Sequence, residues 1–552
     1  MLNWMAAPLI DSRSGFCAET GIYYSKRPLL PLPSTSELSL PAFLRQQSCS
    51  TSSDVAYIDF ANGSQITYAQ LHDRIKAVAA GLALLLRVQK GDVLLILAPN
   101  SIQFIVLVHA ALSIGVVVTT SNPVSRPIEI IRQSATCSTK FIATTASLAH
   151  KVAELRLPLI LLEDFPPRSI SLPQHVPFGR LVSADADSLS PTPVYQEDAA
   201  MVLFSSGTTG FSKGVVITHR NLIAQAVLFW HRKNLLPDCT RRVDLCFVPL
   251  FHAYGLIIFG CAAIGKGLTV VLLPKFDMVQ MLLAIEKHRV TNLSLVPPVM
   301  LALVKTNLTE TYDLSSLRIV SVGAAPVSKD LITAFKSRFP CVIVLQGYGL
   351  TESTAVGANS LTVEESEEFR STGLIASNME AKIVDVDSKK PLPPNHSGEI
   401  WLRGPVIMKG YLDKPEETER AVDKEGWLHT GDLGYIDSDG FLFIIDRLKE
   451  LIKYNGYQVA PAELEALLLS HPHIQDAAVV PYPDEEAGQI PEAYVVITRD
   501  SLLSAREVMD FISEQVSPHK KIRRVTFVSE IPKSPSGKIL RRLLTMKAAS
   551  KL

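Results

Sequence analysis

Leu71, Ile75, Val78, Leu82 and Leu85 recur at three- and four-residue steps, which predicts an amphipathic helix with one buried stripe. Lys90-Gly91-Asp92 then turns the chain into the apolar run 93–97. A second helix is expected over about 101–114, and Gly115 leads it into a strand at 116–120. Two wholly apolar strands separated by a helix predict a parallel sheet covered on both faces. The pattern returns as strand 268–273, a helix near 278–288 and strand 292–296. It returns again as strand 317–322, helix 329–338 and strand 341–345. The first four-fifths of the chain is therefore expected to be α/β, a large N-terminal domain of parallel-rich sheets covered by helices.

The texture changes after about residue 446. The charged segment Asp446-Arg447-Leu448-Lys449-Glu450 precedes a smaller region with helices at 462–469 and 505–515. Strands are expected near 477–480, 493–497 and 525–528. About 100 residues of this α+β kind suffice for a domain of their own. The expected division is 1–446 and 447–552, with the boundary near Lys449. The longest apolar stretch, 255–274, is interrupted by Gly265, Lys266 and Gly267. It reads as a buried helix followed by a strand rather than as a membrane span.

Composition narrows the picture further. The chain has 552 residues, 47% of them hydrophobic and 20% charged, which predicts large cores and little disorder. Fifty-four Lys and Arg balance 54 Asp and Glu, so no global field gathers nucleic acid or an acidic membrane. From Ser517 onward there are ten basic residues and one acid, Glu530, which by charge count alone reads as a solvated helix face. The seven cysteines have no metal-ligand or paired spacing and read as buried thiols in a reducing compartment. Residues 1–30 lack the apolar block of a signal peptide. Ser550-Lys551-Leu552 has the form of the peroxisomal address recognised by an import receptor.

The segment with the plainest chemistry is Ser205-Ser206-Gly207-Thr208-Thr209-Gly210-Phe211-Ser212-Lys213-Gly214. Eight of its ten residues are Gly, Ser or Thr, and a strand-like run at 200–204 precedes it. Such a loop offers hydroxyl and backbone N–H donors, admits a polyphosphate without Cβ clashes, and adds one cation. It is not a Walker loop, because Ser212 and Gly214 stand where that pattern needs Gly and Ser or Thr. It resembles the phosphate-binding signature of the adenylate-forming superfamily: acyl-CoA synthetases, 4-coumarate–CoA ligases, firefly luciferase and peptide-synthetase adenylation domains.

Further signatures of that superfamily follow in order. They are Gln346-Gly347-Tyr348-Gly349-Leu350-Thr351-Glu352, Gly398-Glu399-Ile400-Trp401-Leu402-Arg403-Gly404 and Gly426-Trp427-Leu428-His429-Thr430-Gly431-Asp432. After these come Asp446 to Lys453 and Pro535-Ser536-Gly537-Lys538. The closest likeness is to plant 4-coumarate–CoA ligases and their peroxisomal relatives.

The resemblance implies ATP, Mg²⁺ and coenzyme A as reactants and a small mobile C-terminal domain. It places Thr351 and Glu352 near the phosphate and the metal, with Glu352 acting on Mg²⁺ through phosphate. Asp432 would accept the ribose hydroxyls beside Arg447, and Gln346 and Gly347 would wall the acyl-adenylate site with Tyr254 and Ala324. Lys538 would swing in to bridge the attacking carboxylate and the α-phosphate, about a hinge at Lys449. Lys453 and Gln458 match adenylation-state contacts, while Lys275 and Gly456 match contacts of CoA. Related ligases often carry Lys where this chain has Asn455, which removes one charge–phosphate contact.

Phe251-His252-Ala253-Tyr254-Gly255 matches the aromatic segment that gates the acyl site. Four positions after Tyr254, where 4-coumarate ligases have a small hydroxyl residue, this chain has Ile258. Burying a phenol without a partner there costs roughly 1–3 kcal/mol. Thr354-Ala355-Val356 replaces the family's Gly-Pro-Val and reshapes the same pocket. The expected substrate is an apolar acid: a fatty acid, a jasmonate precursor or a cinnamate. The alternatives are a hydroxycinnamate–CoA ligase, a luciferase-like adenylate oxidase and a non-catalytic acyl-nucleotide binder.

Overall fold

The computed structural model describes residues 9–48, 52–163, 175–205, 213–233, 242–325, 327–455, 457–484, 486–498, 501–534 and 537–549. The repeated strand–helix–strand pattern forms two large sheets. One has eight strands, with Val93–Leu97 parallel to Val117–Ser121 on one side and Phe141–Thr144 on the other. The other has nine, and Ile343–Tyr348, Ile319–Val322, Asn292–Leu295, Val243–Cys246 and Thr269–Leu272 run parallel through its centre.

The first predicted helix is Tyr68–Leu85, opened by a capping box in which Thr67 accepts from Gln70 N. Leu71, Ile75, Val78 and Leu82 are buried, whereas Leu85 is 45% exposed, so the buried stripe ends one turn before the helix does. Ile102–Ser113 follows, capped by Ser101 and buried along most of its length.

A third sheet was not among the expected strands. It has six strands, all antiparallel, and includes Gly398–Arg403, Leu428–Ile436 and Leu442–Arg447. Along Gly398–Arg403, buried residues alternate with the half-covered Glu399, Trp401 and Arg403. Period-two polarity of this kind suits a sheet with one partly wet face and lacks the apolar runs that mark buried parallel strands. One apolar cluster joins all three sheets, from Leu94 and Val118 through Leu293 and Val320 to Ile400 and Leu428.

The apolar stretch at 255–274 is buried helix and strand, as expected. It contains a π-helical segment, Leu256–Ala262, and then the strand Thr269–Leu272. Among the described residues no helix is long and apolar enough to cross a membrane.

The C-terminal region builds its own five-stranded sheet and its own core around Ile452, Leu464, Val479 and Val495. Its basic tail is not a solvated face. Lys520 pairs with Glu463 at 2.8 Å, Lys533 with Asp476 at 2.7 Å, and Arg541 with Glu465 at 2.7 Å. Leu544, in the helix Arg541–Ala549, packs on Ala478, Val480 and Tyr494. Cys17, Cys137, Cys246 and Cys261 are buried free thiols, but Cys341 is exposed, because it sits at the turn before the strand Ile343–Tyr348. Cys49 and Cys239 lie outside the described residues.

The two regions touch. Asp446, at the end of the last strand of the six-stranded sheet, accepts from Ala462 N at 3.0 Å, in the first turn of the helix Pro461–Ser470. Gly537 adopts φ +77°, and a Cβ there would stand 3.1 Å from Val296 of the nine-stranded sheet's region. A residue with a Cβ would be strained at this φ, and Val296 would have to yield by a few tenths of an ångström.

Candidate active site

A cavity of about 910 Å³ opens between the large sheets, the six-stranded sheet and the C-terminal region. Ser205, at the end of the strand Ala199–Ser205, and Lys213, opening the antiparallel strand Lys213–Thr218, face each other in register at its edge. Ser206, Gly207, Thr208, Thr209 and Gly210 lie outside the described residues. Gln346 and Gly347 enter from the strand Ile343–Tyr348, followed by Thr351 and Glu352 from the turn after it. Gly349 is needed in this turn because a Cβ would meet the Ala355 carbonyl at 1.7 Å. Thr354 and Ala355 hold φ values of 48° and 90°, a left-handed backbone that costs L-residues about 1–2 kcal/mol each. Thr354 is anchored there by donating to Val406 O at 2.6 Å.

The apolar wall is made by a distorted helix. π-segments recur at functional sites, and three carbonyls of this one take side-chain hydrogen bonds. Here side chains from elsewhere satisfy them: Tyr57 OH donates to Phe259 O (2.7 Å) and Trp230 Nε1 to Ala262 O (2.7 Å). His109 Nε2 contacts Gly260 O at 2.6 Å, and burial pushes its imidazole down to about 4. This bracing fixes Ile258, which is buried and faces the cavity together with Tyr254, Ala324 and Val356. His252 lies beside Phe251, ring centroids 4.8 Å apart, and also lines the cavity. Burial pushes its imidazole down to about 4, so it is neutral at pH 7.

At the opposite end the six-stranded sheet presents a charged pair. Asp432 and Arg447 are register partners, and Arg447 Nε stands 3.1 Å from Asp432 Oδ1. Tyr348 OH donates to Asp432 Oδ2 at 2.6 Å. Asp432 is only 3% exposed and sits behind the cavity wall that Arg447 helps to form. Burial raises its carboxyl above the usual range, opposed by the Arg447 charge, the Tyr348 hydrogen bond and Lys538. Burial also works against the charge of Arg447, but Asp432 and Glu450 outweigh it and hold the guanidinium charged.

Lys538 and Lys449 line this cavity too. Burial, then the neighbouring Arg447 charge, lower the Lys538 ammonium below its ordinary value, while Glu450 and Asp432 act the other way. The turn bearing Lys538 is closed by Ser534 N donating to Lys538 O at 2.8 Å. Lys538 and Lys213, more than 300 positions apart in the chain, thus line one cavity.

Lys275, Lys453 and Asn455 are exposed and do not line it. Asn455 holds a left-handed φ of 45° beyond the strand Ile452–Tyr454. Gln458 pairs with Lys453 in register, but its side chain, like the whole of Gly456 and of Ser550 to Leu552, lies outside the described residues.

Three cavity residues escaped the reading of the sequence. Arg27 is buried, and its guanidinium donates to Asn359 Oδ1 (2.7 Å) and Glu365 Oε2 (2.6 Å), more than 330 positions away. Nothing local to residue 27 signals that contact. Tyr411 OH donates to Glu352 Oε1 at 3.1 Å, and Glu417 meets Lys213 at 2.5 Å. Gly410-Tyr411 is a two-residue edge strand, too short for any periodicity to mark.

Lys213, Glu352 and Arg447 thus line one cavity, with Asp432 paired to Arg447 behind its wall. The model of the AMP-binding enzyme family matches residues 44–412, and that of the AMP-binding enzyme C-terminal domain matches 463–538. The chain belongs to the AMP-binding enzyme family. A probable CoA ligase of Humulus lupulus is 46% identical over 99% of both chains. Peroxisomal OPC-8:0-CoA ligase 1 of Arabidopsis thaliana is 44% identical over 98% of this chain and 99% of that protein. Among solved structures, o-succinylbenzoate CoA synthetase of Bacillus subtilis with its acyl-adenylate intermediate is 29% identical. It covers 92% of this chain and 98% of its own, with a TM-score of 0.78.

Proposed function

We propose that the chain is an AMP-forming acyl-CoA synthetase that activates an apolar carboxylic acid as its adenylate and transfers the acyl group to coenzyme A. The observation that supports this reading best is the meeting of Lys538, Lys213, Glu352 and the apolar Ile258 wall around one cavity. The acid lies along Ile258 and Tyr254, with its carboxylate toward Lys538. Attack on the α-phosphate expels pyrophosphate, and the cations at Lys538 and Lys213 stabilise the charge that builds on the phosphate oxygens. Thr351 and the residues of the loop 205–210 donate to those oxygens, while Asp432 receives the ribose diol.

Mg²⁺ fits the donor set in one way. Among the described residues no cluster of three or more His, Cys, Asp or Glu could hold a metal. Glu352 supplies one carboxylate, which suits an ion that keeps its waters and takes its other ligands from phosphate. When bound, it neutralises polyphosphate charge.

For the second half-reaction, the C-terminal domain turns about Lys449, withdrawing Lys538 and bringing Asn455 and Gly456, with Lys275, to the CoA arm. One catalytic centre thereby serves two chemistries through a conformational step. Asn455 stands away from the cavity because its contact belongs to the second arrangement, whereas Lys453, matched to the adenylation state, does not line the cavity although Lys538 does. The likeness to the peroxisomal Arabidopsis ligase supports import through Ser550-Lys551-Leu552. A fluorescent fusion ending in those three residues should enter peroxisomes, and one lacking them should not.

The substrate reading is tested by AMP release with ATP, CoA and a panel of octanoate, cinnamate, a jasmonate-type acid and 4-coumarate. Turnover of the apolar acids with equimolar AMP and thioester is expected, and clear preference for 4-coumarate overturns it. AMP formation that needs O₂ instead of CoA would point to an adenylate oxidase.

A further inference from the structure

Lys213 is held by an acid with no assigned part in the chemistry. Glu417 lies in the helix Pro415–Ala421 and places Oε2 2.5 Å from the Lys213 ammonium. Lys414 Nζ donates to Glu417 Oε1 at 2.7 Å, so the carboxylate bridges two cations. The face of the Tyr411 ring lies 4.8 Å from Lys213 Nζ, and Tyr411 OH donates to Glu352. Lys213, Tyr411, Glu352 and Glu417 all face the cavity. Of the remaining charges on the same short helix, Glu416 and Arg420 pair with each other at 3.3 Å and are largely exposed, and Glu419 is exposed too.

A polyphosphate drawn to Lys213 arrives beside this carboxylate. An ammonium is a compact point charge, so two anions on one side of it compete rather than share it at full strength. The Glu417 carboxyl is held down at about 2, first by its hydrogen bonds from Lys213 and Lys414, so it stays charged throughout the neutral range. Lys414 remains its partner when Lys213 turns away, which spares Glu417 the cost of standing alone.

We propose that Glu417 is an internal counter-anion that competes with the polyphosphate of the substrate for Lys213, weakening ATP binding and easing the departure of pyrophosphate. The proposal rests on Lys213 being a phosphate ligand. In this role Glu417 is a positioning residue: it recaptures Lys213 after each adenylation and returns the ammonium to one place against the Tyr411 ring. ATP affinity is given up for release of the charged product.

The test is steady-state kinetics of Glu417→Gln, Lys213→Ala and the double variant, measuring KM for ATP, kcat and inhibition by pyrophosphate. Glu417→Gln keeps the shape and removes the charge on a half-exposed helix, so folding is retained. Its KM for ATP and its pyrophosphate inhibition constant should each fall by about twofold to fivefold, the upper range for releasing a partly screened ion pair. Neither should change on adding Glu417→Gln to Lys213→Ala. A rise in KM for ATP in Glu417→Gln, or no change while Lys213→Ala raises it, overturns the counter-anion role and leaves Lys213 as a phosphate ligand. If Lys213→Ala itself changes neither constant, the reading of Lys213 fails, and the proposal with it.

Discussion

Replacing Asp432 by Asn separates the charge of this residue from its shape. In the structure Asp432 receives Arg447 Nε at 3.1 Å on one oxygen and Tyr348 OH at 2.6 Å on the other. An amide can accept from Arg447 through its oxygen and donate to the Tyr348 hydroxyl through its nitrogen, so the strands stay paired. What disappears is the charge that holds Arg447 and that, in the proposed function, receives the ribose diol. A hydrogen bond to a charged group contributes about 1.5–3 kcal/mol, a factor of roughly 10–150 in binding.

KM for ATP in Asp432→Asn should therefore rise about 10- to 150-fold, with kcat at saturating ATP falling much less. Tyr348→Phe, which removes one neutral donor, should raise KM about fivefold. The pH dependence carries the sign. Burial raises the Asp432 carboxyl, so the parent should lose ATP affinity on acidification while ordinary aspartates, near 3.9, are still ionised. Because the folded state favours the neutral acid, protonating Asp432 adds stability as the pH falls toward the unfolded value; the affinity loss is then not unfolding. ATP titration monitored by calorimetry across pH 4.5–8 checks both points. A rise in KM below about threefold in a folded Asp432→Asn, or an identical acid limb in the variant, would refute the reasoning.

Two further perturbations reach other parts of the molecule. Ile258→Ser should let the cavity accept 4-coumarate, raising kcat/KM for it about tenfold relative to cinnamate, since a buried phenol then gains a partner worth roughly 1–3 kcal/mol; initial rates with both acids decide it. Arg541→Met removes the partner of Glu465 (2.7 Å) and Glu450 (2.5 Å) beside the buried Asp446, and should cost about 3–5 kcal/mol in urea unfolding. Burial pushes the Glu465 carboxyl up to about 7, against about 4.3 when unfolded, so its protonation supports the fold below pH 4.3 and that support fades as pH rises to 7. The loss in Arg541→Met should accordingly be larger above pH 7 than below it.

The parallel sheets were legible because their strands are apolar on both faces and their helices are marked by caps. Met278–His288 and Lys329–Arg338 fall where periodicity puts them, opened by Asp277 and Ser328 side chains. The antiparallel sheet was not legible as strands, although it bears Asp432 and Arg447, because its alternating polar face resembles loop composition. Those two residues were reached only through their motifs. Arg27 was out of reach, since its partners lie over 330 residues on. The π-helical bracing of Ile258 was hidden for a related reason: its hydrogen-bond donors, Tyr57, His109 and Trp230, are scattered along the chain and meet only in the fold.

Comparing the two half-reactions in Lys538→Ala tests the central claim most directly. Release of pyrophosphate from ATP and acid should fall at least about 100-fold, as for loss of a placed electrostatic stabiliser. Thioester formation from preformed acyl-adenylate and CoA should fall less than about tenfold, because the role proposed for the lysine lies only where the carboxylate meets the α-phosphate. Equal loss in both steps, or adenylation at the parent's rate, would contradict an account in which a lysine near the carboxyl end completes the nucleotide site.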